Sequence, residues 1–242
     1  MTITRRSLIL SGGIAGCLAA PNLYAAANAL APAKKLKIVV TGGHPGDPEY
    51  GCGGTVAKLA DEGHDVVLLY LNDGAWPPTP APVRLAEARR ACEILKARPV
   101  WAGQQNGAAI VDALHYESLA HLLELEAPDV VFTHWMIDNH RDHRAMAMLC
   151  YDAWLKGGRK YALYYYEVSD GEDTQQFSPN RWVDIHGTEA RKRAACYAHA
   201  SQTPDRYYAL QDQVAQFRGL ESHCARAEAF VLQQQSPYDI FA

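Results

Sequence analysis

Histidine and carboxylate side chains are concentrated in two short segments of the chain, 42–55 and 134–144. The residues of these segments that could do chemistry are His44, Asp47, Glu49, Asp138, His140, Asp142 and His143. Two imidazoles and one carboxylate that converge make a three-ligand set of the kind that binds zinc and leaves a position open for water. The residue types therefore predict a metal centre of the catalytic type, provided that the fold brings the two segments together.

Each segment directly follows a predicted β-strand. Residues 36–41 and 129–133 are short apolar runs that end where the glycines and polar side chains begin. In open α/β sheets, ligands bind at the carboxyl ends of the strands. We therefore expect the two strand ends to be neighbours, with their polar side chains facing one another above the sheet.

The rest of the chain alternates between strand and helix patterns. Further strands are predicted at 65–71, 99–102 and 161–168, and helices near 53–62, 85–95, 119–123 and 144–155. This alternation predicts the α/β class: a single Rossmann-like domain with a mostly parallel sheet and helices on both faces. The C-terminal region is predicted to be helical to about residue 234. No linker or internal repeat interrupts residues 30–242, which are therefore expected to form one domain.

Two other interpretations of the polar segments remain open. The segments could be a Gly-rich turn and a polar surface loop without chemistry. The glycines after the first strand could also belong to a dinucleotide site. The spacing of Gly51, Gly53 and Gly54 differs from the G-x-G-x-x-G of such a site, however, and the pair His44-Pro45 interrupts the turn.

The two segments resemble the motifs of the PIG-L/LmbE-like deacetylases, zinc hydrolases that remove acetyl from N-acetylglucosamine derivatives. The family's first motif, His-Pro-Asp-Asp-Glu, is matched at 44–48 by His-Pro-Gly-Asp-Pro, and a Gly-Cys-Gly-Gly-Thr helix start follows at 51–55. Its second motif, His-Pro-Asp-His, is matched by His-Arg-Asp-His at 140–143. The resemblance extends over about residues 36–199.

The resemblance implies a role for each matched residue. His44, Asp47 and His143 would bind Zn2+, which is the expected cofactor. His140 would stabilise the tetrahedral intermediate, and Asp142 would hold one of the imidazoles in its working tautomer.

Arg84 and Asn106 are candidate substrate-binding residues. Arg84 is similar in position to the family's substrate-contacting arginine, although it could equally be a solvated residue in the first turn of a helix. Asn106 stands where many family members have an acidic substrate contact. Trp76 and Trp135 lie in predicted loops at the mouth of the site, where they could stack on a sugar face or pack within the loops.

The chain departs from the family at the position of the general base. The first aspartate of the first motif usually has that role, and here the position is Gly46. A metal-dependent hydrolase still needs a group that accepts the proton of the attacking water. Asp138 is the favoured candidate, because its loop must already approach the metal, and Glu49 is the second. Either could instead be structural, Asp138 as a turn cap and Glu49 through the helix dipole.

The first 29 residues have the features of an export signal. The pair Arg5-Arg6 is followed at once by an apolar run, and small-residue cleavage sites occur near residues 27 and 29. We therefore expect a twin-arginine signal at 1–29 and a periplasmic or otherwise exported protein. Residues 14–17 also resemble a bacterial lipobox, so a lipid anchor on Cys17 is an alternative outcome of export.

The composition argues against several other classes of protein. Lys and Arg number 23 against 27 Asp and Glu, and the resulting net charge of -4 argues against nucleic-acid binding, which needs clustered positive charge. No apolar stretch of the body predicts a transmembrane span. The six cysteines form no Cys-x-x-Cys pair, and most are expected to be buried.

Together, these features predict an exported, zinc-dependent hydrolase that removes acetyl from an N-acetylated amino-sugar conjugate of the N-acetylglucosamine type. The reaction is hydrolysis of a linear amide, and the expected partner is a small-molecule substrate. A non-catalytic, metal-dependent sugar-binding protein is the alternative, because Gly46 occupies the position of the base. The sequence leaves homo-oligomerisation open.

Overall fold

The structure is a computed structural model that describes residues 34–168 and 173–242. Lys35–Ala242 form one compact unit. The predicted twin-arginine signal at 1–29 and the lipobox cysteine, Cys17, lie outside the described residues and stay predictions. Within the described part of the chain, no helix combines the length and apolarity that a bilayer crossing requires.

Seven strands and six α-helices are found in the described residues. The strands are Lys37–Gly42 (β1), Asp65–Asn72 (β2), Arg98–Gln104 (β3), Val130–His134 (β4), Ala162–Tyr166 (β5), Arg181–Asp184 (β6) and Ala227–Leu232 (β7). The helices are Asp47–Asp61 (α1), Ala81–Leu95 (α2), Ala113–Glu126 (α3), Arg141–Lys156 (α4), Glu189–Tyr197 (α5) and Pro204–Ser222 (α6).

The strands form one sheet in the order β3-β2-β1-β4-β5-β7-β6. Strands β1 to β5 are parallel to one another, and β7 runs antiparallel between β5 and β6. The predicted α/β class with a mostly parallel sheet is therefore confirmed. Helices α5 and α6 form the predicted helical C-terminal region.

Strand β7 was not predicted, because residues beyond 185 were expected to be helical to about residue 234. Its sequence, Ala-Glu-Ala-Phe-Val-Leu, begins with good helix formers and is too short for its period to distinguish the two structures. The first four residues of β7 are buried, since neighbouring strands pair with it on both sides. Tertiary packing therefore decides the structure of this segment.

Helices cover both faces of the sheet, as predicted. On one face, α1, α2, α5 and α6 pack against alternate strand residues such as Val40 and Leu68. On the other face, α3 and α4 pack against the intervening residues, such as Val39 and Leu69. The five described cysteines are free thiols, and four of them are buried in this core.

Gly54 marks a close approach between α1 and the C-terminal half of the domain. A Cβ at this position would lie 2.6 Å from Cγ2 of Ile185. Gly54→Ala is expected to lower the free energy of unfolding by about 1–2 kcal/mol, because overpacking outweighs the gain in helix propensity. Denaturant melts would measure the change, with Gly187→Ala as the control, since a Cβ at Gly187 would meet nothing within 4 Å. An unchanged midpoint for Gly54→Ala would contradict this account of the packing.

The two polar segments meet because β1 and β4 are neighbours in the sheet. Val39 pairs with Val131, and Val40 pairs with Phe132, in parallel register. The chain passes from β1 to β2 on one side, whereas β4 lies on the other side, so the sheet has its topological switch point here. The expectation that the two strand ends are neighbours is confirmed.

Candidate metal centre

Asp47, the first residue of α1, lies where the loops after β1 and β4 meet. Its Oδ2 atom is 3.2 Å from Nδ1 of His44 and 3.3 Å from Nε2 of His143. The backbone N–H of His44 donates to the same oxygen at 2.8 Å. The structure thus brings together the three residues that were predicted to bind zinc.

Two overlapping groups of side chains could hold a metal ion. His44, His140 and His143 form one group, and Asp47, His134 and His143 form the other, each with ligand atoms within 4.8 Å of one another. The predicted set of His44, Asp47 and His143 is itself neither of these groups, but each group contains two of its members. Imidazole nitrogens together with one carboxylate oxygen make a donor set that suits zinc.

The local charges favour an ionised Asp47 beside a protonated His143. Burial would raise the pKa of Asp47, but the neighbouring His143 and His44 hold it well below its usual range. Burial would lower the pKa of His143, but Asp47 and Asp138 raise it to about 10. The site therefore stabilises positive charge next to Asp47, and a bound cation would supply the same charge.

Asp142, in the first turn of α4, fixes the orientation of His44. Its buried Oδ2 atom is 3.1 Å from Nε2 of His44 and accepts hydrogen bonds from Nδ2 of Asn72 and the backbone N–H of Gly107. With Nε2 of His44 directed at Asp142, Nδ1 faces Asp47. A carboxylate in this position selects the tautomer of a ligating histidine and makes it a better ligand. The imidazole that Asp142 contacts is therefore His44.

Asp142→Asn is expected to weaken zinc binding about 10- to 100-fold, because the neutral amide holds the His44 ring less firmly. Competition of the protein with a chromogenic chelator would measure the affinity. Asp152→Asn is the matched control, since Asp152 lies on the same helix, is partly exposed and does not line the cavity. Equal zinc affinities of Asp142→Asn and the unaltered protein would show that Asp142 does not orient a ligand.

Asp138 lies behind His143, on the side of the ring away from Asp47. Its Oδ1 atom is 3.2 Å from Nδ1 of His143 and accepts the backbone N–H of His140 at 2.7 Å. Its Oδ2 atom accepts a hydrogen bond from the hydroxyl group of Thr174 at 3.1 Å. This geometry favours a role in orienting His143 over the predicted role of accepting a proton from water.

Glu49 is fully buried, and both of its carboxylate oxygens accept hydrogen bonds. Oε2 accepts the backbone N–H of Gly46 at 3.1 Å, and Oε1 accepts the hydroxyl of Tyr70 at 2.8 Å. Nε2 of His199 is 3.0 Å from the same Oε1. These contacts fix the start of α1 and the turn that carries Asp47. They favour a structural role for Glu49 over its predicted role as a base.

His140 caps the N-terminus of α4 and faces the candidate ligands. Its Nδ1 accepts the backbone N–H of Asp142 at 3.3 Å. Its ring centroid is 4.6 Å from that of His44 and 4.6 Å from that of His143. Burial and the positive charges of these two histidines lower its pKa. A neutral imidazole therefore stands at the edge of the candidate metal site.

A cavity of about 470 Å³ opens over these residues. Six of the nine predicted site residues line it, namely His44, Asp47, Arg84, Asn106, His140 and His143. The other three, Glu49, Asp138 and Asp142, lie behind the lining residues and contact them. The arrangement can hold a cation and present it, with the imidazole of His140, to a small molecule in the cavity.

Arg84 lines the cavity but is buried, with 2% of its surface exposed, so it is not a solvated helix residue. Its NH2 group donates to the backbone carbonyl of Pro45 at 2.5 Å, and NH1 donates to Oε2 of Glu87 at 2.8 Å. Arg84 thereby supports the turn that carries His44. Its position in the wall also leaves open the predicted contact with a substrate.

Asn106 and Trp76 belong to loops that border the cavity. Nδ2 of Asn106 donates to the backbone carbonyl of Ala75 at 3.0 Å and so ties the two loops together. Trp135 does not line the cavity. Its indole N–H donates to the carbonyl of Gln175, and its ring packs against Tyr165 and Phe177.

Among the residues to which sequence reasoning assigned no role, His134 and Asp173 bear most directly on the chemistry of the site. His134 ends β4, is fully buried, and stacks on His143 with ring centroids 4.1 Å apart. Burial and the charge of His143 lower its pKa to about 4. Asp173 lines the cavity although it lies far along the chain from both motifs. The position of His134 at the end of an apolar run could have indicated its place in the site. No feature of the sequence indicates the place of Asp173.

The chain matches known proteins in sequence and in fold. Residues 39–154 match the model of the PIG-L family, which is described as GlcNAc-PI de-N-acetylase. Diacetylchitobiose deacetylase from Thermococcus kodakarensis is 29% identical over 198 residues, which cover 72% of this chain and 73% of that protein.

Solved structures share the fold over most of the domain. A conserved protein from Thermus thermophilus aligns with a TM-score of 0.73 and 26% identity, over 86% of this chain and 99% of that one. The N,N'-diacetylchitobiose deacetylase from Pyrococcus horikoshii aligns with a TM-score of 0.71 and 22% identity, over 86% and 89% of the two chains. The two motifs and the fold therefore agree with the match of residues 39–154 to the PIG-L family model.

Proposed function

We propose that the protein is an exported, zinc-dependent hydrolase that removes acetyl from an N-acetylated amino sugar of the N-acetylglucosamine type. The observation that carries the proposal is the convergence of His44, Asp47 and His143 at a cavity large enough for a small sugar. The named activities of the relatives, which deacetylate diacetylchitobiose, support the choice of substrate class.

The donor atoms of these three residues fit zinc. Nδ1 of His44 and Nε2 of His143 each lie close to Oδ2 of Asp47, which is kept ionised, so these three atoms would hold it. Zinc supplies a Lewis acid that polarises an amide carbonyl and lowers the pKa of water.

The protein's own residues orient and stabilise the reacting groups. Asp142 and Asp138 hold the rings of His44 and His143, each through the nitrogen that faces away from Asp47. His140 stands beside both rings and lines the cavity. It would donate a hydrogen bond to the carbonyl oxygen as negative charge develops there.

Asp173 is our candidate for the group that accepts the proton of the attacking water. Among the described residues, Asp47 and Asp173 are the only carboxylates that line the cavity, and Asp47 is committed to the histidines. Two backbone hydrogen bonds place Asp173 beside the loop that carries His140. The backbone N–H of Asn139 donates to the carbonyl of Asp173, and the backbone N–H of Gln175 donates to the carbonyl of Ile137. This placement favours Asp173 over Asp138 and Glu49, which lie behind the cavity wall.

Acetate release from N-acetylglucosamine and its β-1,4-linked oligomers tests the proposal, with the zinc content of the same sample measured in parallel. Release that requires zinc is the expected result. The alternative, a non-catalytic sugar-binding protein, is favoured by one observation, the absence of a carboxylate at Gly46. Sugar binding without acetate release at full zinc occupancy would establish that alternative.

Export is also a proposal, supported by the twin-arginine pair and the apolar run that follows it. Arg5→Lys combined with Arg6→Lys is expected to retain the protein in the cytoplasm, because the arginines are read by a receptor and charge alone does not suffice. Fractionation of cells would measure this. Normal export of the double variant would contradict the twin-arginine assignment, and labelled palmitate that enters only when Cys17 is present would establish a lipid anchor.

A further inference from the structure

Trp76 has an apolar side chain that is exposed at the rim of the cavity over the candidate metal centre. About two thirds of its surface, 66%, is accessible to solvent. Among the described residues, it is the only exposed large hydrophobic side chain that also lines the cavity. Single exposed apolar residues are common on protein surfaces, but this one borders a cavity, where a bound ligand would cover its indole face.

The backbone holds Trp76 in a fixed position. Its N–H donates to the carbonyl of Thr79 at 3.1 Å, and the N–H of Thr79 donates back to the carbonyl of Trp76 at 2.7 Å. The two residues between them are prolines, Pro77 and Pro78, whose rings restrict the backbone. The side chain of Asn106 also donates to the carbonyl of Ala75. A backbone that is already restrained loses little further entropy when a ligand binds to the side chain that it carries.

Short contacts connect Trp76 to the metal centre. A Cβ on Gly107 would lie 3.4 Å from Cζ3 of Trp76, so the indole packs directly on the backbone at Gly107. The N–H of Gly107 donates to Oδ2 of Asp142 at 2.7 Å, and that oxygen is 3.1 Å from Nε2 of His44. Gly107 and Asp142 therefore link the loop region beside the indole to the candidate ligand His44.

The chemistry of the remaining wall indicates what kind of ligand lies on the indole. The polar residues of the wall beyond the metal centre include the neutral Asn106, Gln202, Tyr207 and Gln211, together with Asp173 and His199. The guanidinium of Arg84 is paired with Glu87, so it adds no uncompensated positive charge for an anionic ligand. Amides and a phenol suit hydroxyl groups, and an aromatic face suits the apolar face of a pyranose ring.

We propose that Trp76 forms a subsite for a second sugar ring, one that is not itself deacetylated. The reacting N-acetylated ring would lie at His44, His140 and His143, and the next ring of the substrate would stack on the indole. The protein would then prefer a disaccharide or longer oligosaccharide to a monosaccharide. This inference rests on the proposed deacetylase function for the identity of the sugar.

The test compares monosaccharide with β-1,4-linked disaccharide in the zinc-loaded protein. Calorimetry with glucosamine and its disaccharide, which carry no acetyl group, gives affinities without turnover. Trp76→Ala is expected to weaken binding of the disaccharide about tenfold and binding of the monosaccharide less than about twofold. Only the disaccharide is long enough to reach the indole. The same split is expected in KM for the acetylated sugars, with kcat little changed. Trp76→Phe should retain most of the affinity, because an aromatic face remains.

Trp135→Phe is the matched control, since Trp135 also follows a strand but packs away from the cavity, and it should alter neither affinity. Three results would overturn the subsite: equal weakening of both sugars by Trp76→Ala, no weakening of either, or no saccharide binding by the unaltered protein. Acetate release measured in parallel separates the two proposals. A size-dependent effect of Trp76→Ala without acetate release would contradict the deacetylase and leave the subsite standing.

Discussion

His143→Ala is expected to abolish zinc binding and to lower the deacetylation rate at least about 10³-fold. His143 is the one histidine that belongs to both candidate groups of ligands, so its removal leaves neither group complete. A metal that polarises a carbonyl contributes several kcal/mol to catalysis, and about 4 kcal/mol corresponds to 10³-fold in rate. The fold should survive, because the residue lies in the first turn of α4, above the sheet.

Zinc content by atomic spectrometry and acetate release measure the two effects, and circular dichroism checks the fold. His121→Ala is the matched control, since His121 is exposed on α3 and takes part in neither ligand group. Full zinc occupancy in His143→Ala would refute the assignment. In that case His134, which stacks on His143 and contacts Asp47, would be the histidine to replace next.

The sheet could be predicted because four of its five parallel strands are buried on both faces and therefore appear as continuous apolar runs. The positions of β1, β2, β4 and β5 follow directly from those runs. The convergence of the two polar segments also follows, because parallel strands end at one edge of the sheet. Strand β7 could not be predicted in this way, since its place between β5 and β6 depends on contacts that are distant in sequence.

The sequence allowed a prediction of which residues come together at the site. It did not allow a prediction of which neighbour each side chain faces. His44, Asp47 and His143 converge as expected. The sequence placed Asp138 next to the metal-binding loop, but it could not show that the carboxylate faces the far nitrogen of His143. Side-chain direction in a loop depends on backbone angles that composition and spacing do not fix. Asp173 enters the cavity from an irregular segment for the same reason.

The glycine at the family's base position has a backbone explanation. Gly46 has a φ of 118°, a conformation that residues with a Cβ rarely adopt. Space alone would admit a side chain, because a Cβ there would lie 3.7 Å from the ring of Tyr50 and 4.0 Å from that of His199. An aspartate placed at this position would therefore be strained by the backbone conformation of the turn.

Asp173→Asn is expected to lower kcat about 10²- to 10⁴-fold, the usual contribution of a general base, with zinc content unchanged. Asparagine keeps the shape of the side chain but cannot accept a proton at neutral pH. Asp138→Asn should act differently, by weakening zinc binding about 10- to 100-fold, because Asp138 contacts the ring of His143. Glu49→Gln should mainly lower stability, since Glu49 is buried among three hydrogen-bond donors.

The three variants and the unaltered protein are compared by initial rates of acetate release at saturating zinc, with the zinc content of each sample determined. Asp152→Asn serves again as the control for an aspartate that is remote from the cavity. At equal zinc occupancy, a large loss of kcat confined to Asp173→Asn would support Asp173 as the proton acceptor. The same loss in Asp138→Asn, with Asp173→Asn unaffected, would assign the proton to Asp138. The carboxylate would then have to turn away from His143 during the reaction, a movement that its bonds to His140 and Thr174 oppose.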